Sequence, residues 1–228
     1  MGIALPEAPK EIILDLARLA GAKTFVETGT FRGETTRWAA KHFDSVVTIE
    51  RSEDLYRQYQ QGLRDLGNVE PILGDSGVVL PQVVSRLGNQ PTVFWLDGHW
   101  SFGVTAGENN ECPLLAELGA LRQRQGDVIL IDDARLFLSA PPVPHDPSQW
   151  PTLTEIVFLT MKDPNQLFLQ IVDDVIFIVP PTEKIKLRLT EYASMRAHAI
   201  WSTRANDLVR KVIYRIIKMG GKRLRYPG

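Results

Sequence analysis

The chain is poor in cysteine, in long apolar runs and in net charge, and each shortage narrows what it can be. Cys112 is the single cysteine, so no internal disulfide framework can form and a reducing compartment fits. No apolar stretch approaches the ~20 residues needed to span a bilayer. The amino-terminal MGIALPEAPKE has no apolar core and no small-residue cleavage site, so no secretory signal is expected and the location is read as cytoplasmic. The dinucleotide fingerprint G-x-G-x-x-G is missing, which weighs against an NAD(P)-dependent oxidoreductase. Internal repeats and low-complexity segments are missing too. What remains is an ordinary globular composition, 228 residues with 44% hydrophobic and 23% charged. That suits one α/β domain able to bury its own core.

The net charge of −1 hides an asymmetry. Residues 204–228 carry eight Lys/Arg against Asp207, a charge of +7, which leaves −8 on the rest. An acidic body argues against a nucleic-acid enzyme, which needs a basic face around its site. The sequence is therefore divided into a domain at 1–203 and a basic tail at 204–228. In the tail, Leu208, Val209, Val212, Ile213, Ile216 and Ile217 form an apolar helical stripe beside Arg210, Lys211, Arg215 and Lys218. Such a helix docks on its own domain or on a second copy in a homodimer. Alternatively it lies on an anionic membrane surface, with Trp201 and Tyr214 at the interface.

Short β-rich runs alternate with amphipathic stretches. The runs are 23–28, 45–50, 69–73, 92–97, 127–132, 166–172 and 174–179, with helices expected near 33–42, 53–65, 76–87 and 111–125. Another amphipathic stretch precedes the first strand and one follows the fifth. Nearly continuous apolar strands spaced by helices indicate a parallel sheet covered on both faces. Only Asp173 separates the last two runs, so no crossover helix fits; they form an antiparallel hairpin or one bent strand. The expected fold is α/β, Rossmann-like and doubly wound, a mostly parallel seven-stranded sheet ending in an antiparallel hairpin.

The first strand enters Glu27-Thr28-Gly29-Thr30-Phe31-Arg32-Gly33-Glu34-Thr35-Thr36. A glycine turn that opens a helix cradles ligands, because the backbone can approach closely and the helix N-terminus favours negative groups. Gly29, Thr30 and Gly33 are the candidates there. Glu50 ends the second strand, 21 residues after Gly29, a distance at which an acid can accept both hydrogens of a ribose diol. After the third strand, Asp75 either accepts from an adenine amino group or caps the next helix, and Ser76 is a further cap candidate. Asp97 follows the fourth strand, with His99 two residues on. Acids at the ends of successive strands are more specific together than any one of them, and Ser76 and Asp97 count with Glu50 and Asp75 as cofactor-binding candidates.

This pattern resembles the class I S-adenosylmethionine-dependent methyltransferases over roughly residues 10 to 180. ETGTFRGETT is similar to the first motif of the catechol- and caffeoyl-CoA-type O-methyltransferases, and the closing hairpin is the layout of that class. The resemblance implies S-adenosyl-L-methionine as cofactor. It places Gly29 and Gly33 against the methionine moiety, Glu27 at its amino group, Glu50 at the ribose and Asp75 at the adenine. It also implies methyl transfer, O-directed, to a hydroxylated small molecule or a glycan or lipid precursor.

Asp97 and the pair Asp132-Asp133 should lie along the carboxyl edge of the sheet, where open α/β folds bind ligands. Three carboxylates are a hard-oxygen set suited to Mg²⁺, which would bind a substrate hydroxyl and lower its pKa. The macrocin-type enzymes show a similar pattern; His99-Trp100 and Glu111-Cys112-Pro113 depart from it and look closer to an uncharacterised bacterial methyltransferase-like group. Asp97, His99 and Asp132 are the catalytic candidates. His99 is a general base, a partner of Asp97 or a plain loop histidine. Glu111 is read as the start of a helix, where it complements the dipole or reaches the metal or substrate; Cys112 is read as buried filler and His145 as solvent-exposed. His42 and His198 carry no readable role. The proline-rich 138–151 follows a strand's carboxyl end and is read as a lid or substrate wall. A ligand-binding protein without turnover is the alternative to an enzyme.

Overall fold

A computed structural model of the protein describes residues 8–101, 103, 105–160 and 167–199. The chain divides into two compact units, Met1–Leu189 and Thr190–Gly228. The basic tail at 204–228 lies outside the described residues, and so does Trp201.

In the first unit the described strands are β1 (Thr24–Thr28), β2 (Ser45–Glu50), β3 (Val69–Leu73), β4 (Thr92–Leu96), β5 (Val128–Ile131), β6 (Phe168–Val172) and β7 (Val175–Val179). The helices are α1 (Lys10–Ala20), α2 (Glu34–Ala39), α3 (Glu53–Arg64), α4 (Ser76–Leu87), α5 (Leu114–Leu121), α6 (Arg135–Leu138) and α7 (Leu153–Thr160). The strand order is β3-β2-β1-β4-β5-β7-β6. β3, β2, β1, β4 and β5 run parallel, and β7 is antiparallel to both β5 and β6. The hairpin reading holds over the bent-strand one: Val172 pairs with Val175 across Asp173-Asp174, a turn one residue longer than the sequence spacing suggests.

Burial explains why these strands read as unbroken apolar runs. β1, β4, β5 and β7 are buried along their whole length. On one face Val26, Phe94, Ile129 and Ile178 pack with Leu80 and Val83 of α4, Leu118 of α5 and Ile156 of α7. The alternating residues, among them Phe25, point the other way, and Phe25 meets Trp38 and Phe43 at ring-centre distances of 6.0 and 5.2 Å. Side chains of a strand alternate between faces, so a sheet covered twice must be apolar at every position.

One helix boundary differs from the expectation in a way that matters for function. The helix expected from 111 begins at Leu114. Pro113 bars the residue before it from helical backbone, so Glu111 and Cys112 stay in the connection after β4. Residues 183–189 are helical, with Ile185 and Leu189 buried and Arg188 paired with Asp15 of α1 at 2.8 Å. In the second unit the described residues, 190–199, are helical. Among the described residues no helix is long and apolar enough to cross a membrane.

Candidate functional site

The carboxyl ends of β1 to β4 surround a cleft of about 500 Å³, within the usual size of small-molecule sites. Of the residues singled out from the sequence, Gly29, Glu50, Asp75, Ser76, Asp97 and His99 line it. Glu27, Thr30, Gly33, Asp132 and Asp133 do not.

Gly29 has φ +82°, and a Cβ there would lie 2.1 Å from the backbone oxygen of Asp97. The turn after β1 thus presses directly on the turn after β4, and only glycine permits it. Glu50 is 7% exposed. One of its carboxylate oxygens accepts from the Phe31 amide at 2.8 Å and the other from the Ser52 amide at 2.7 Å. Each oxygen keeps lone-pair capacity for a ligand on the cleft side. Burial raises the Glu50 pKa, and the backbone donors of Ser52, Phe31 and Arg51 oppose that.

Asp75 takes the cap geometry among its two readings. One carboxylate oxygen accepts from the Gly77 amide of α4 at 2.9 Å, and the other faces Arg51 at 3.4 Å and Asn110 Nδ2 at 3.4 Å. Glu27 sits away from the cleft wall in a buried threonine cluster. Its Oε2 accepts from Thr48 Oγ1 at 2.8 Å and from the Thr36 hydroxyl, while Thr30 and Thr48 share a hydrogen bond of 2.6 Å. Burial pushes its carboxyl up to about 7; the two hydroxyls pull down and the charge of Glu50 pushes further up.

Asp97, His99, Asp132 and Asp133 form one electrostatic group. His99 Nε2 bonds Asp133 Oδ2 at 2.8 Å and lies 3.7 Å from Asp97. Asp133, with φ 55°, is held on its other oxygen by Arg135 at 2.6 Å. Arg135 also pairs with the buried Asp174 of the β6–β7 turn. Loss of water drives the Asp97 carboxyl well above the usual range, aided by Asp132, Asp133 and Glu27 and opposed by His99. Burial and the charge of Asp133 push Asp132 up to about 6. Burial also disfavours ionised Asp133, but His99 and Arg135 outweigh it and bring the group down to about 2. Burial alone would lower the His99 pKa; the hydrogen bond to Asp133 and the charges of Asp97, Asp133 and Asp132 raise it instead.

The metal expectation for Asp97, Asp132 and Asp133 does not fit this arrangement. Both oxygens of Asp133 are engaged, one by His99 and the other by Arg135, and one oxygen of Asp132 accepts the Asp133 amide at 2.8 Å. Among the described residues no group of three or more His, Cys, Asp or Glu side chains is arranged to hold a metal ion.

Two readings from the sequence are corrected. Glu111 is no helix start but a buried hub, 3% exposed. It accepts from Trp150 Nε1 at 2.6 Å, the Asp146 amide at 2.9 Å and His145 Nδ1 at 2.9 Å. His145 is 7% exposed, not solvated. Its ring packs on Trp150 at 4.9 Å, and Trp150 in turn packs on His99 at 5.3 Å. The proline-rich segment is therefore a wall behind His99. Glu111 and His145 lie 34 residues apart, and no local pattern announces such a pair. Cys112 is half-buried, and loss of water pushes its thiol up to about 12, which disfavours the reactive thiolate.

No protein-family model matches the chain, and comparison of its sequence with curated proteins finds no match. Its fold does match solved structures. The O-methyltransferase TomG from Streptomyces achromogenes, involved in tomaymycin synthesis and solved in complex with SAM, is 22% identical, covers 78% of this chain and 82% of its own, and has a TM-score of 0.54. A provisionally assigned O-methyltransferase from Klebsiella pneumoniae is 19% identical over 79% of this chain and 84% of its own, at a TM-score of 0.51. A provisionally assigned caffeoyl-CoA O-methyltransferase from Staphylococcus aureus is 16% identical over 78% and 86%, also at 0.51. At these identities the likeness is one of fold. The fold is the Rossmann-like fold of class I methyltransferases, as the strand order and the closing hairpin also say.

Proposed function

We propose that the protein transfers the methyl group of S-adenosylmethionine to a hydroxyl of a small molecule. The observation that carries this reading is the cleft itself. A close-packed glycine turn after β1, Glu50 after β2, Ser76 at the start of α4 and Asp97 after β4 converge on it. In this reading Gly29 lets the backbone approach the methionine end and Glu50 accepts from the ribose hydroxyls. Methyl transfer from a sulfonium forms the O–CH₃ bond, breaks the S–CH₃ bond and releases S-adenosylhomocysteine and the hydroxyl proton. The protein's tasks are to align the acceptor and to take that proton.

His99 is the residue we assign to the proton. It lines the cleft, and Asp133 holds its Nε2, which fixes the ring and supports an imidazolium once formed. Trp150 braces the ring from behind. No step is routed through a metal, because Asp133 is committed to His99 and Arg135.

A ligand-binding protein without turnover, or a dinucleotide enzyme, would use the same edge of the sheet. Calorimetry of the full chain with S-adenosylhomocysteine, S-adenosylmethionine and NAD separates the readings. Binding of both adenosyl ligands and not of NAD is expected. Preference for NAD would overturn the assignment. Adenosyl binding with no methyl transfer to any of a panel of hydroxylated acceptors would favour the binding protein.

A further inference from the structure

We propose that Arg51 retains the cofactor by closing the rim of the cleft, tying the segment 105–113 to the ends of β2 and β3. This rests on the reading of the cleft as an S-adenosylmethionine site. Arg51 is the first residue after β2, and it lines the cleft. Its Nη1 donates to the backbone oxygen of Asn110 at 2.9 Å. Its Nη2 lies 3.4 Å from Asp75 Oδ2. The Asn110 side chain donates to that same oxygen at 3.4 Å. A Cβ on Gly107 would come within 3.3 Å of Arg51 Nη1, so the segment folds directly against the guanidinium. Thr105 and Ala106 of the segment line the cleft as well. One side chain thus joins the connections that follow β2, β3 and β4.

Residue type and exposure both suit this role. A guanidinium offers donors in a rigid planar fork and can hold two partners in different directions at once; an ammonium cannot reproduce that geometry. The side chain is 33% exposed and its partner Asp75 is 24% exposed. Ion pairs at such sites are individually weak, so the rim can part to admit a ligand and close again. Asp75 serves as the anchor: its other oxygen is fixed by the α4 amide, so the carboxylate that Arg51 grips does not move with the segment. A rim of this kind acts on departure more than on entry, since the ligand must wait for the ties to open.

The test uses the full chain, Arg51→Ala and Arg51→Lys, with S-adenosylhomocysteine as probe. Stopped-flow binding gives both rate constants, and hydrogen exchange follows the amide of Asn110 in the free proteins. Arg51→Ala should bind about tenfold more weakly, the scale of one lost hydrogen bond to a charged group. The loss should appear in the dissociation rate, with faster exchange at Asn110 and an unchanged melting temperature of the free protein. Arg51→Lys should fall between the two. A wild-type dissociation rate in Arg51→Ala overturns the proposal. So does weaker binding that tracks a lowered melting temperature of the free protein, which marks a structural role. A wild-type chain that does not bind the probe overturns the cofactor reading, and this proposal with it.

Discussion

Glu27→Gln separates what a buried carboxyl does to the fold from what it does for a ligand. Glu27 is 2% exposed and its carboxyl is pushed from an ordinary 4.5 to about 7. A folded-state value above the unfolded one means that the folded protein holds the proton more tightly. The stability linked to that proton is complete below about pH 4.5. It declines as the unfolded chain ionises and is gone once pH passes about 7. The gap is about 2.5 pH units, which at ~1.4 kcal/mol per unit amounts to roughly 3 kcal/mol. Glutamine keeps an oxygen to accept from Thr36 and Thr48 and cannot ionise. Urea unfolding of both proteins between pH 4.5 and 8 should therefore give curves that coincide at the acid end. At pH 8 the variant should be more stable by up to about 3 kcal/mol. Asp132 and Glu117 are raised in both proteins and drop out of the difference; Asp97, which the Glu27 charge helps to raise, adds to the difference in the same direction. A difference that is flat with pH, or a wild type more stable at pH 8, refutes the burial argument. The same variant tests the ligand role that the resemblance assigns to Glu27. Unchanged S-adenosylhomocysteine affinity at pH 7 would leave this carboxyl as a proton-holding brace of the β1–β2 threonine cluster.

Glu50→Ala should weaken S-adenosylhomocysteine binding by about 1.5–3 kcal/mol, the range for hydrogen bonds to a charged group; calorimetric affinity equal to wild type removes Glu50 from the ribose role. Gly29→Ala must relieve a 2.1 Å approach to the Asp97 backbone oxygen at a positive φ, so it should lower the melting temperature and abolish S-adenosylhomocysteine binding together; retention of both would show that the β1 and β4 turns separate freely. Millimolar Mg²⁺ should raise the melting temperature no more than an equal ionic strength of NaCl; a larger rise that Asp133→Asn removes would show that Asp133 leaves Arg135 for a metal.

Periodicity made the sheet legible because its central strands are buried on both faces and the crossovers carry helical stripes. Strand ends were legible for the same reason: an acid directly after an unbroken apolar run marks the carboxyl edge. Glu50 and Asp97, at two such ends, line the cleft together with Gly29 and Ser76. What stayed hidden was partnership across distance. Nothing local says that Glu111 meets His145 and Trp150, or that Asp174, in a turn, holds Arg135 against Asp133. The Pro113 signal could have moved the start of α5, since a residue before proline avoids helical backbone. Arg51 was also visible, directly after Glu50, but its weight comes from the Asn110 carbonyl 59 residues away.

Three aspartates on one sheet edge suggest a metal when read as a string, because nothing in the string shows what neutralises them. In the fold the chain supplies their partners itself. Arg135 and His99 both engage Asp133, and the hairpin turn contributes Asp174 to keep Arg135 there. Buried like charges that cannot all ionise spread their pKa values apart. Here Asp133 falls to about 2, Asp132 rises to about 6 and burial drives Asp97 well above the usual aspartate range. Groups pushed apart in this way fall into fixed charges and proton carriers. Asp133 is the fixed charge that orients His99; Asp97, which lines the cleft, holds a proton more readily than an ordinary aspartate. A positively charged ligand beside Asp97 favours its ionised form and is in turn held by it, while a neutral ligand gains nothing from that exchange. On the proposed reading, in which a sulfonium is consumed and a thioether is left, that exchange would favour the reactant over the product.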